Sequence, residues 1–146
     1  MPSIRQAWRE EPTRGIPLNR LTGFKQKVAG ALHRNGVSIM AGTDAMGLPL
    51  VAPGSFLHKE LQLLSASGLS PYEVIRSATV VPAAFLGKSN EFGTIAVGRR
   101  ADLLLVAGNP LESLETLKRP LGVLVRGRWL PQKTLHELVK PLAGNQ

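Results

Sequence analysis

Val37-Ser38-Ile39-Met40-Ala41-Gly42-Thr43-Asp44 is a short apolar run, β-branched at Val37 and Ile39, that ends abruptly in Gly-Thr-Asp. Asn35-Gly36 closes the segment before it and Gly47 opens the loop after it. The run therefore reads as a buried strand between two helical patterns. Asp44 then stands at the strand's carboxyl end, where α/β architectures place polar side chains beside a ligand crevice. A carboxylate there can hold a metal ion or take a proton from a water. The plainer alternative is that Asp44 only caps the turn that follows.

Upstream, Phe24, Val28 and Leu32 recur every four residues, which predicts a helix starting at Thr22 as N-cap and stopped by Asn35-Gly36. His33 falls in its last turn, where the helix dipole favours a cation, so it reads as surface or capping. Residues 1–20 carry Pro2, Pro12 and Pro17 with scattered arginines and no period, as an exposed lead-in would. Downstream, Ala45 to Gly54 has the glycines and prolines of a substrate loop. Ser55 is the expected cap of a helix with Leu57, Leu61 and Leu64 on one stripe, ended by Gly68. His58 and Glu60, two residues apart on that helix, point to nearly opposite faces and cannot jointly grip one metal.

Ser70-Pro71-Tyr72-Glu73 is a capping box with proline at the first helical position. Ile75 and Ala78 continue its buried face until Val81-Pro82 interrupts it and begins a short helix that stops at Gly87. After residue 90 the period shortens. Phe92 to Ile95 and Ala101 to Val106 read as two strands joined by a turn at Gly98, and Val123 to Val125 with Trp129-Leu130 as a hairpin about Arg126-Gly127. Asn109-Pro110 makes a turn before a short helical segment from Leu111 to Leu117. Leu135, Leu138 and Leu142 predict a terminal helix.

The chain has 146 residues, enough for one ordinary domain and too few for a closed eight-fold barrel of about 250 residues. With no cysteine, a disulfide scaffold, a thiolate metal site and a thiol nucleophile are excluded. The formal charge of +8 invites a nucleic-acid reading, but the basic residues run no more than two together and do not interleave with aromatics. A solvated surface explains them, and no nucleic-acid partner is expected. The amino terminus lacks the apolar core of a secretory signal and no apolar run could span a bilayer, so the expectation is a cytoplasmic protein without a membrane partner.

Taken in order, the motifs resemble the metal-dependent amidohydrolases, in particular their imidazolonepropionase-like and prolidase-like branch. The resemblance rests on Gly36-Val37 running into Ala41-Gly42-Thr43-Asp44-Ala45, on His58-Lys59-Glu60-Leu61 ahead of Gly68-Leu69-Ser70-Pro71, and on Ala78-Thr79 before Pro82-Ala83. It continues through Gly93-Thr94-Ile95, Gly98 and Ala101-Asp102-Leu103, covering roughly residues 22 to 130. It implies an α/β fold: the last strand and helices of a (β/α)8 metal-hydrolase barrel, plus the carboxyl-terminal part of a small β-sandwich. By that resemblance residues 1–20 are the lead-in, 21–91 the barrel portion, 92–131 the sandwich portion and 132–146 the terminal helix and tail.

The same resemblance makes Asp44 both the catalytic carboxylate and a metal contact, taking a proton from the hydrolytic water and delivering it to the leaving nitrogen of a small amide or cyclic amide. It makes Asp102 structural, an acceptor of backbone N–H groups at a turn beside Gly98. It also implies a divalent metal, zinc in the complete enzyme. Members resemble one another in a His-x-His pair on the first strand, a lysine or glutamate on the fourth, and histidines on the fifth and sixth. No such pair occurs here, and His33, His58 and His136 all lie on predicted helices. A catalytic zinc needs three protein ligands, so no metal is expected on this chain alone. The expectation is a carboxyl-terminal fragment of a carbon-nitrogen hydrolase whose partner is the missing amino-terminal barrel portion. The alternative is a catalytically inactive remnant or interaction module.

Overall fold

The computed structural model describes residues 18–44 and 54–143. They fall in two compact units, Met1–Ser70 and Pro71–Gln146.

In the first unit, helix α1 (Leu18–Arg34) packs on helix α2 (Ser55–Ala66). Helix α1 starts four residues before the expected cap and runs straight through Thr22. Leu21, three residues before Phe24, extends the same apolar series, and a threonine inside a helix costs only a few tenths of a kcal/mol, about 0.7 at most. Both helices end the same way. Gly36 donates to the His33 carbonyl and Val37 to Leu32, while Gly68 donates to Ser65 and Leu69 to Leu64. The two glycines have φ of 77° and 103°, the left-handed turn that lets the last carbonyls be satisfied. Leu69 and Leu64, brought together by that turn, are both buried, with Leu61 beside them. Ser55 is the first helical residue of α2 rather than its cap; Gly54 holds that position.

Residues 37–44 form an irregular segment instead of the expected buried strand. A strand is made by its neighbours, and among the described residues none pairs with this one. Val37 and Met40 are exposed, whereas Ile39, Ala41 and Thr43 are half-buried. The expected substrate loop lies outside the described residues, apart from Gly54.

In the second unit, helix α3 (Pro71–Ser77) begins at its proline as expected, and helix α4 (Val80–Phe85) follows. The break falls at Ala78-Thr79, not at Val81-Pro82. A proline ring clashes with the carbonyl four residues back, and in the first turn of α4 its missing N–H is not needed. Hydroxyls cover the carbonyls freed at the break: Ser77 Oγ donates to Val74 and Thr79 Oγ1 to Ile75. Val74, Ser77 and Ala83 are the buried side chains of the two helices.

Strands β1 (Leu103–Leu105), β2 (Gly122–Val125) and β3 (Arg128–Pro131) make an antiparallel sheet in that order. A 3-10 helix, Leu114–Lys118, lies between β1 and β2 where a segment from Leu111 was expected, with Ser113 capping it through its hydroxyl. Leu103, Leu124 and Trp129 stand in line across one face, and Leu104, Val123 and Leu130 across the other. Helix α5 (Gln132–Ala143) packs on β2 and β3, which is the expected terminal helix. The expected strand at Phe92 to Ile95 does not form. Gly93, at φ 96°, sits so close to α4 that a Cβ there would lie 2.7 Å from Ala83 Cβ, and Ile95 and Val97 point into solvent. The chain is held there by turns, including Arg100 N–H to the Glu91 carbonyl.

Candidate functional site

Asp44 in the irregular segment has its side chain exposed and its backbone in the left-handed region, φ 47°. A non-glycine residue in that region is uncommon, and aspartate is one of the few that tolerates it.

The described structure brings one group to Asp44 that sequence reasoning missed. Glu60, half-buried on α2 next to the buried Leu61, has a carboxyl on which the Gly42 backbone N–H and the Asp44 charge both act. Burial pushes its carboxyl above the usual range, the Gly42 N–H pulls it back, and the Asp44 carboxylate pushes it up again. A signal was available: Glu60 adjoins an apolar stripe, where an acid has to find a partner. The spacing argument asked only whether His58 and Glu60 could share a metal, and so passed over it. His33 lies at the end of α1 and His136 on α5, as expected from the pattern.

Asp102 lies in the second unit, and its work differs in place from the expectation. Its Oδ1 accepts the Arg126 N–H at 2.6 Å and its Oδ2 the Arg100 Nε at 2.5 Å. The Arg126 N–H first, then the Arg100 guanidinium, hold its carboxyl below the usual range. It therefore clasps the β2–β3 turn rather than one beside Gly98. That turn has φ 50° at Arg126 and 79° at Gly127, the mirror-image hairpin turn that suits twisted strands. The Gly127 N–H donates to the Ala101 carbonyl, a second tie to the same segment.

A catalytic zinc takes three protein ligands and keeps a fourth position open. Asp44 and Glu60 are two carboxylates, and among the described residues no three His, Cys, Asp or Glu side chains gather where an ion could sit. The described residues do not by themselves fit a metal. Among them, too, no helix is long and apolar enough to cross a membrane.

Helices flanking a segment that is unpaired among the described residues and carries an exposed acid, and an open three-stranded sheet besides, define a partial β/α barrel with an added sheet element. The chain belongs to the amidohydrolase family, whose model matches residues 18–130. It is 39% identical over 84 residues to the imidazolonepropionase of Sphingopyxis alaskensis, a match covering 56% of this chain and 20% of that protein. A putative prolidase from Bifidobacterium longum superposes with TM-score 0.64 at 40% identity over 70% of this chain and 25% of its own. A bottromycin amidohydrolase superposes with TM-score 0.77 at 29% identity, covering 97% of this chain and 31% of its own. The chain thus spans about a fifth to a third of the length of these relatives.

Proposed function

We propose that this chain is a carboxyl-terminal share of a hydrolase that cleaves a carbon–nitrogen bond in a small amide, dipeptide amide or cyclic amide, and that Asp44 is its contribution to the chemistry. In this reading residues 21–91 belong to the barrel, 92–131 to the sandwich and 132–146 to a terminal helix and tail. Asp44 accepts the proton of the water that attacks the carbonyl carbon and returns it to the departing nitrogen, so that one carboxylate serves as base and then as acid. The family's divalent metal would be held by Asp44 together with residues beyond the described set.

The observation that carries this reading is the position of Asp44 within a family match spanning residues 18–130: an exposed acid between α1 and α2 in sequence, with a second carboxylate nearby. Names among the relatives, a prolidase and an imidazolonepropionase, suggest amide and ring-amide substrates as the first panel to try. The test joins this chain to the missing barrel portion of a relative and measures turnover of that panel. Wild type should hydrolyse at least one member, and Asp44→Asn should lose about a hundredfold or more of that rate, the scale of a proton-transfer group. Equal turnover in both would assign the chain to a non-catalytic interaction role instead.

A further inference from the structure

Asn35-Gly36, which closes helix α1, sets a side-chain amide beside an unhindered backbone nitrogen, the pairing from which a succinimide ring forms. Both residues are exposed, and nothing lies within 4 Å of where a Gly36 Cβ would stand, so water and base reach the nitrogen. Yet both reacting groups are tied to the last turn of α1. Asn35 Nδ2 donates to the Ala31 carbonyl at 2.8 Å, and the Gly36 N–H donates to the His33 carbonyl at 2.9 Å. The next amide, Val37, donates to Leu32 at 3.0 Å and closes the turn over them. No other asparagine of the chain precedes a glycine. Asn109 precedes Pro110, which has no N–H to attack with, while Asn19, Asn90 and Asn145 precede Arg20, Glu91 and Gln146, whose side chains crowd the nitrogen.

We propose that Asn35-Gly36 is a self-modification site gated by the end of α1: the ring closes, with loss of ammonia, only in molecules whose last helical turn has opened. The Gly36 nitrogen gives its proton to water and attacks Asn35 Cγ. The N–Cγ bond forms as the Cγ–Nδ2 bond breaks, and Nδ2 takes up a proton and leaves as ammonia. Water then opens the ring. Its addition at Cγ gives aspartate, and its addition at the main-chain carbonyl of residue 35 gives isoaspartate, with the chain rerouted through Cβ and Cγ. Nothing is oxidised or reduced, and water is the only co-reactant. Either product replaces the donor facing the Ala31 carbonyl with a carboxylate, at the helix end whose dipole disfavours negative charge. The opened turn therefore cannot re-form as it was, and isoaspartate also lengthens the backbone ahead of residues 37–44. The site stands independently of the reading of Asp44.

Peptide mapping by mass spectrometry of the 146-residue chain, aged at mildly alkaline pH in buffer and in guanidinium chloride, tests both the site and its gate. In denaturant Asn35 should convert ahead of every other asparagine, with isoaspartate among its products. In buffer the same site should convert at least about tenfold more slowly, the scale set by a pair of local hydrogen bonds at a helix end. Ala31→Gly loosens the turn without altering either reacting group, so it should speed conversion about three- to fivefold in buffer and leave the rate in denaturant unchanged. Equal rates in buffer and denaturant overturn the gate, as does a rate in buffer indifferent to Ala31→Gly. Earlier conversion of another asparagine overturns the choice of site, and aspartate formed without isoaspartate overturns the ring route. Should Ala31→Gly fail to fold, amide exchange in the wild-type chain decides. The protection of the Gly36 N–H should match the ratio of the two conversion rates within about threefold, and an unprotected Gly36 amide overturns the gate.

Discussion

Two glycines of helix α1, Gly23 and Gly30, should respond to the same substitution with opposite signs. Alanine in a helix interior is favoured over glycine by about 1 kcal/mol, and that gain applies at both positions. At Gly23 a Cβ would meet nothing within 4 Å, so Gly23→Ala should stabilise by about 0.5–1 kcal/mol. At Gly30 it would lie 2.3 Å from the carbonyl oxygen of Ser67 at the end of α2. That neighbour is backbone and cannot swing aside. To reach ordinary contact, α1 and α2 must part by about 1 Å, and forcing a packed contact open in this way costs about 1–3 kcal/mol. The propensity gain is common to both variants, so the difference between them is the packing cost itself. In urea unfolding followed by helical circular dichroism, the two midpoints should separate on the order of 1 M for a slope of about 1–3 kcal/mol/M. Equal stabilisation by both substitutions would refute the close approach of α1 and α2, and with it the frame that holds residues 37–44.

Further outcomes follow from the second unit. Gly122 lies under the Trp129 ring, where a Cβ would come within 2.0 Å of Cη2. Gly122→Ala should therefore displace the indole, visible as a shift of its N–H resonance, and cost about 1–3 kcal/mol; an unmoved indole would contradict the register of β2 and β3. Asp102, its carboxyl held low by the Arg126 N–H, should stabilise the fold above the pKa it has when unfolded and lose that contribution as pH falls through its lower folded value. The stability of wild type over Asp102→Asn should accordingly be constant near neutral pH and vanish on the acid limb of a pH series of urea midpoints. A difference that persists undiminished into strong acid would show that the charge is not what clasps the turn.

What the sequence disclosed, and what it hid, divides by the range of the forces involved. Ser70-Pro71 marked the start of α3, Gly68 the end of α2 and Arg126-Gly127 the hairpin, because proline's fixed φ, glycine's left-handed turn and the two-residue loop act on their immediate neighbours. The family resemblance, carried by several such local motifs in order, was legible for the same reason and is met by the match over residues 18–130. Strand formation at 37–44 was not legible, since a strand depends on partners distant in sequence, and the described residues supply none. Gly93 read as part of a strand because its neighbours are β-formers, but its close approach to Ala83 and Thr79 lies outside any local window. The influence of Gly42 and Asp44 on Glu60 runs between two separate elements, so it could be sought in the sequence only by asking what a half-buried acid beside Leu61 must find. Asp102 was correctly read as structural, yet the turn it clasps begins 24 residues away.

The central claim is that this chain brings one acid to a metal site completed by residues outside the described set, and zinc titration tests it most directly. The chain alone should show no tight one-to-one uptake; joined to the missing barrel portion it should bind zinc stoichiometrically, more weakly when Asp44 is changed to Asn. Tight one-to-one binding by the chain alone, or an affinity in the joined protein indifferent to Asp44, would contradict the account.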